Sequence, residues 1–371
     1  MKPVLFFVWA VFFLACASVQ AANIAVIAPK VGDLSKYGDE LGEGAQIAVD
    51  ILNEQGGLLG EKLNLVIVDD RCEESFAVSA AQMMSINSSK ADKVNLVVGP
   101  YCSDAYAEVA DIYAKGKIIH LSVMPLFSSA YMHEADGLFK IGGQTKDEAK
   151  VFFDFYSKQF AGKNLALVYD AFQPEAFETA FEVQSLFRNG SLAASVTLYD
   201  FSAYGKDYSK MAKEILLNHQ AVLILGKSGQ TAKLIQELQE NKPDVVVFAD
   251  EYEATPSLMR ELGNFSEGIY LLGLKDMKDS PEFTEELVSL RLKGKEPRGL
   301  GVYGYAAVKL WSDMVSKARS FDFDKVKAKG MGGQFVLPWG KVAFQKGRAS
   351  ASGGYAVYRI TGGEYAQADG F

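Results

Sequence analysis

The residues with the clearest chemical potential lie in one short stretch, Val94 to Asp104, which reads VNLVVGPYCSD. Val94 to Val98 is an apolar run long enough for one buried strand and too short for a helix without a polar face. Gly99-Pro100 ends it, because glycine tolerates turn geometry and proline has no N–H for a ladder. Ser103 and Asp104 are helix N-cap types, and Ala105 to Lys115 has amphipathic spacing. Such a corner points unpaired backbone N–H groups and a serine hydroxyl at one spot, where a helix N-terminus favours an anion. Ligands in open α/β sheets sit outside the carboxyl ends of the strands, so this corner is a candidate cradle for a small carboxylate. An ordinary strand-to-helix turn with a capping serine would use the same residues, and nothing local separates the two readings.

Motifs for catalysis fail one by one. His120, His133 and His219 are scattered without metal-ligand spacing, as packed or surface histidines would be. Gly226-Lys227-Ser228 resembles the end of a phosphate-binding loop, but Ala221 stands where that motif needs its first glycine, and a strand fills the space between. Gly226 to Gln230 also misses a nucleophile elbow at its last residue. The GGLLG run at Gly56 to Gly60 follows a helix rather than a strand, so it is no dinucleotide fingerprint. No enzyme, cofactor or metal is expected.

The chain that must position these residues has 371 of them, enough for two domains. Its 49% apolar and 23% charged residues are those of an ordinary globular protein and argue against large disordered regions. A net charge of −8 without any Lys/Arg-rich run excludes the basic footprint of a nucleic-acid or anionic-membrane partner. Residues 1–22 read as a secretory signal peptide: Lys2, the apolar Val4 to Ala15, and the small residues Val19-Gln20-Ala21 before cleavage after Ala21 or Ala22. Lipoprotein processing at Cys16 is the alternative, although Phe13-Leu14-Ala15 matches its usual pattern poorly. Cleavage leaves Cys72 and Cys102 in an oxidising compartment, where an even pair reads as one disulfide rather than two reduced thiols.

Strands and helices alternate along the chain. Asn23 to Ala28, Leu63 to Val68, Val94 to Val98 and Lys117 to Val123 are expected strands, with helices over Gly38–Asn53, Phe76–Ile86 and Ala105–Lys115 between them. A second block follows: helix Asp147–Phe160, then strands at Leu165, Ala194, Ala221 and Val245 separated by helices. Near-continuous apolar strands of this kind argue two parallel sheets covered on both faces. The tail does not simply extend the second block, with a strand at Gly268–Gly273, helices at Glu282–Leu292 and Tyr303–Ser316, and late strands at Val342–Phe344 and Ala356–Ile360. Ile141-Gly142-Gly143 is the nearest candidate for a linker.

These features together resemble the type I periplasmic ligand-binding proteins of ABC transporters, in their leucine/isoleucine/valine-binding branch. The resemblance runs through NIAVIAPKVGDLSKYGDELGEGAQIAVDILNEQGGLLGEKLNL, then VDDRC, then VVGPYCS, and covers the later half mainly in pattern. It implies two Rossmann-like, doubly wound lobes joined by three crossover strands that close on a ligand by hinge motion. Residues 23–142 with 275–340 would form the first lobe and 143–274 with 341–371 the second. Hinges would lie at Ile141–Thr145, near Gly268–Leu274 and near Trp339–Phe344. Cys72–Cys102 would be the family's first-lobe disulfide.

The resemblance also implies a site. Ser103 would hold a ligand carboxylate, Tyr37 would line the side-chain pocket, and Ser122 to Leu126, including Met124, would complete the first-lobe half. Leu126 stands where a threonine is usual, so one hydroxyl is lost. Across the cleft, Asp250 or Glu251 would hold an ammonium group. Ser228 occupies the turn where a tyrosine is usual, and Pro174 replaces another, leaving Tyr169 and Phe172 as substitutes. The side-chain half of the site, Tyr37, Tyr101, Leu126, Tyr169 and Phe172, would be more apolar and aromatic than the family norm. Asp104 would repel a ligand carboxylate if it pointed inward, and otherwise stabilises its own helix from the first turn. An aliphatic or aromatic amino acid is thus the expected ligand, followed by an amide or aromatic carboxylate. The expected partner is an inner-membrane ABC permease, and the expected state a monomer in the periplasm. A sensory module feeding a receptor, or a secreted hydrolase of similar architecture, are the other classes.

Overall fold

The computed structural model describes residues 22–32, 34–86, 93–102, 106–190, 192, 194–226, 228–250, 256–297 and 299–368. The expected signal segment lies outside these, apart from Ala22, which begins β1. In the first lobe β1 (Ala22–Ile27), α1 (Ser35–Glu54), β2 (Leu63–Val68), α2 (Glu74–Ile86), β3 (Val94–Val98), α3 (Tyr106–Lys115), β4 (Ile119–Ser122), the short α4 (Ser128–Met132) and β5 (Leu138–Lys140) follow in order. Their strands lie side by side as β2-β1-β3-β4-β5, every pair parallel. Strands with apolar residues on both faces need helices on both, and each crossover supplies one.

The second lobe repeats the plan. It comprises α5 (Thr145–Gln159), β6 (Leu165–Tyr169), α6 (Pro174–Asn189), β7 (Val196–Asp200), α7 (Tyr208–Asn218), β8 (Ala221–Leu225), α8 (Ser228–Asn241), β9 (Val246–Asp250), α9 (Pro256–Leu262) and β10 (Tyr270–Leu274). The strand order β7-β6-β8-β9-β10 is again parallel throughout. An aromatic cluster of Phe152, Phe155, Tyr156 and Phe248 fills the space between α5 and the sheet.

The chain then returns to the first lobe through α10 (Pro281–Leu292), α11 (Gly301–Ala318), α12 (Phe323–Gly332), β11 (Gln334–Leu337), β12 (Gly340–Gln345) and β13 (Arg348–Ala349). It ends in the second sheet with β14 (Tyr355–Thr361) and β15 (Glu364–Gln367). The return is directed by glycine. A Cβ on Gly44 of α1 would lie 1.8 Å from the Gly301 carbonyl oxygen, and one on Gly304 would lie 2.1 Å from that of Leu41. Only a glycine seam lets α1 and α11 approach this closely.

One expected boundary is wrong. Residues 341–349 belong with the first sheet, not the second, because β12 pairs with β11 and β13 pairs with β5. Val342 and Phe344 alternate inward, and Phe344 packs edge-on against Phe139 at 5.0 Å. The third passage between lobes therefore falls at 350–354, not at Trp339–Phe344. The first falls at 141–144, and the second at 275–280, after rather than near Gly268–Leu274, because Tyr270–Leu274 is β10, paired within the second sheet. Passages two and three are joined where Lys275 N–H donates to the Gly354 carbonyl at 3.0 Å.

Candidate functional site

Each sheet reverses its winding direction once, between β1 and β3 in the first lobe and between β6 and β8 in the second. Crevices open outside the carboxyl ends of strands at such switch points. In the first lobe the walls are the turn after β1 and the turn after β3. A Cβ on Gly38 would meet the Pro29 carbonyl oxygen at 1.9 Å, so α1 begins hard against that first turn. This places Tyr37 beside Tyr101, with rings stacked at 5.8 Å and inclined by 9°. Gly99 has φ +107, and a side chain there would collide with the Ile27 carbonyl. Tyr101 N–H donates to that same carbonyl at 3.2 Å. Cys72 and Cys102 are bonded, with Cα atoms 5.3 Å apart, linking the turns after β2 and β3 across the tip of β1. Ser103 and Asp104, at the start of the α3 corner, lie outside the described residues, as does Glu251.

Beneath this corner His120 is fully buried on β4, donating from Nε2 to the Gly99 carbonyl at 2.5 Å and packing edge-on against Tyr113. It is a packed histidine, as is His219, while His133 pairs with Asp111 nearer the surface. Burial, and secondarily the Lys140 charge, push the His120 pKa down to about 4, against the raising effect of the Gly99 carbonyl. The unfolded chain takes up a proton near pH 6.5 that the folded chain refuses until about pH 4. This contribution to stability is therefore complete above pH 6.5 and lost as pH falls toward 4, by about 3 kcal/mol in all. Urea unfolding at pH 7 and pH 4.5 should show a smaller acid loss in His120→Gln than in the wild type; equal losses would place the destabilising proton elsewhere.

The other first-lobe candidates are buried. Ser122 is 1% exposed, and its hydroxyl eases the rise that burial imposes on the Tyr106 hydroxyl. Met124 belongs to the main first-lobe core. Leu126 lies in a small cluster with Tyr106, Ala130 and Leu138, and its backbone pairs with the first passage: its N–H donates to Gly143 O and its carbonyl accepts from Thr145 N–H. The Ser122–Leu126 segment therefore abuts the hinge through its main chain.

In the second lobe Asp170 accepts from Phe172 N–H at 3.0 Å and shapes the turn after β6. Phe172 stands 85% exposed, while the Tyr169 ring packs onto Phe177 and Phe181 of α6. Ser228 is the first residue of α8 and Asp250 the last of β9. Near Asp250 lies a group that sequence reasoning missed. Tyr355, the first residue of β14, has a buried hydroxyl without a hydrogen-bond partner among the described residues. Its pKa is driven well up by burial, then by the negative charges of Glu148, Asp250 and Asp147, so it stays a donor. Tyr303 stacks on Trp339 at 5.2 Å, and a Cβ on Gly353 would strike the Tyr303 hydroxyl. The GGY run at Gly353 to Tyr355 was the available signal: two glycines before an aromatic mark a close passage.

The lobes touch where α4, after β4, meets α6, after β6. Glu178, in the second turn of α6, accepts from Ser128 N–H of α4 in the first lobe at 2.9 and 3.0 Å. Among the described residues no group of three or more His, Cys, Asp or Glu could hold a metal ion, and no helix is long and apolar enough to cross a membrane.

A family model described as periplasmic binding protein matches residues 21–364. The chain is 25% identical to the Leu/Ile/Val-binding protein BraC3 of Rhizobium johnstonii, over 96% of each chain. Among solved structures it is similar to the leucine binding protein LivK of Thermotoga maritima, with a TM-score of 0.76 at 21% identity over 94% of this chain and 97% of that one. The isoleucine complex of LivJ from Streptococcus pneumoniae gives 0.74 at 19% identity, over 93% and 98%.

Proposed function

Because the chain belongs to the periplasmic binding protein family, we propose that it captures an aliphatic or aromatic amino acid, or a related amide or carboxylate, between its lobes and presents it to an ABC permease. The family consists of substrate-binding proteins rather than enzymes, and membership implies a periplasmic location; segment 1–22 would be the cleaved signal that leads there. The observation that carries the reading is the contact between the lobes at the carboxyl ends of their strands, where α6 of one lobe touches α4 of the other. The Leu/Ile/Val-binding relative and the isoleucine-bound neighbour support an α-amino acid.

Such a ligand carries a carboxylate and an ammonium, and either one buried unpaired costs several kcal/mol. Ser103 and the N-terminus of α3 receive the carboxylate, Asp250 or Glu251 the ammonium, and the Tyr37–Tyr101 stack the side chain. Tyr355 supplies a further donor at the hinge end. Hinge closure is then a population shift, limited to the ligand's preference for the closed form over the open.

A thermal-shift screen with L-leucine, L-isoleucine, L-phenylalanine, benzoate and acetamide tests the reading. A specific ligand at 100 times its dissociation constant should stabilise the protein by about 2.7 kcal/mol. Ser103→Ala should weaken the hit by roughly 1–3 kcal/mol, because a charged group then loses its hydroxyl partner. An unchanged affinity in that variant would move the site away from the VNLVVGPYCSD corner.

A further inference from the structure

We propose that Glu178 is a positioning residue for ligand capture: from the second lobe it holds α4, the first-lobe helix that follows the candidate segment Ser122–Leu126, and so sets the spacing of the closed lobes. The proposal rests on the binding reading above for what is captured, but not for the strap itself.

α4 has five residues, too few to be stable alone, so its position is set by what grips its ends. At its C-terminal end the buried Lys140 ammonium donates to the Tyr131 carbonyl at 2.7 Å and to that of His133. This fixes the helix to β5 of its own lobe. At its N-terminal end the grip comes from the other lobe, where both carboxylate oxygens of Glu178 accept from Ser128 N–H. Glu178 also accepts from the Thr145 hydroxyl at 2.5 Å, and Thr145 opens α5 directly after the first passage. A negative charge at one end and a positive charge at the other match the helix dipole. Leu126, two residues before Ser128, is bonded through its main chain to Gly143 and Thr145. One carboxylate thus gathers the start of α4, the start of α5 and the second turn of α6. Widening the cleft must stretch this junction, and charge-assisted bonds of this kind are the strong ones.

Two variants remove the contact from opposite sides. Glu178→Gln removes the charge. Ser128→Pro removes the N–H, together with the serine hydroxyl, without breaking the helix, because Ser128 is the first residue of α4, where proline is tolerated, and Phe127 before it already has ψ 157. Glu182→Gln, one turn further along α6, is the control for helix charge. Spin labels at Met83→Cys and Leu217→Cys, exposed positions on α2 and α7, report the distance between lobes without ligand. Both strap variants should move the distance distribution to longer values and broaden it, while the control matches the wild type. With L-leucine as probe, dissociation should quicken about tenfold and association change little, as is usual when a contact made late is lost. Distances unchanged in both Glu178→Gln and Ser128→Pro would overturn the proposal, whatever happens to affinity. If the wild type ignores L-leucine, the ligand reading fails, and the distance measurement alone decides the strap.

Discussion

Gly304→Ala should destabilise the protein by about 3 kcal/mol or more, a large effect for one added methyl group. A Cβ at this position would stand 2.1 Å from the Leu41 carbonyl oxygen and 3.1 Å from Ala45 N. Both atoms are backbone within α1, so no side-chain rotation relieves the clash, and α11 must tilt away. Gly44 makes the reciprocal approach to Gly301, so movement at one crossing point opens the other. Ordinarily alanine is the better helix residue by up to about 1 kcal/mol, so the predicted sign runs against intrinsic propensity. Gly332→Ala in α12 provides the contrast: it has open space around it, and should be neutral or slightly stabilising. Urea midpoints of the two variants measure the difference. If Gly304→Ala unfolds with the wild type, the seam is not what brings the tail back to the first lobe. Since α1 begins with the turn that carries Tyr37, the same variant should also weaken any ligand that uses the Tyr37–Tyr101 stack.

That seam also marks where the sequence was readable and where it was not. The alternation of apolar strands with amphipathic helices announced two doubly wound lobes, because burial on both faces leaves a signature along the chain itself. Where the tail goes leaves no such signature. Nothing along the chain singles out Gly44, Gly301 and Gly304, and only their pairing in space explains them. The late strands β11 to β13 were missed or misplaced for a related reason. They are short, and one sheet can accept a four-residue strand as well as another.

The candidate site divides along the same line. Tyr37 and Tyr101 are stacked, and the disulfide that anchors one of them is present. Ser122, Met124 and Leu126 are buried, and the main chain of Leu126 ties the segment after β4 to the first passage. Glu178 was invisible beforehand: a glutamate on an amphipathic helix has no unusual neighbours in sequence, and its contact with Ser128 runs across the lobes. Tyr355 was signalled only by the two glycines before it.

Replacing both Cys72 and Cys102 by serine should cost roughly 3.5–4 kcal/mol, the loop-closure entropy released when about 31 residues are freed in the unfolded chain. The folded side of the balance adds a local consequence. β2 is the edge strand of its sheet, and the bridge reaches from its end over β1 to the end of β3. Arg71 and Cys72 both sit at positive φ, near +53° and +54°, a conformation the bridge and Asp70 hold in place. Freed of the bridge, that turn should relax, and with it the segment from Tyr101 to Ser103 that is proposed to receive the carboxylate. The double variant should therefore show two separable losses: a lower urea midpoint, and weaker binding of whichever amino acid the thermal-shift screen selects. Reduction of the wild type should reproduce the first loss without any change of sequence. A double variant as stable as the oxidised wild type would mean that the unfolded chain gains no freedom from the cut; unaltered affinity would mean that the corner after β3 keeps its shape unaided, and that the carboxylate cradle owes nothing to the bridge.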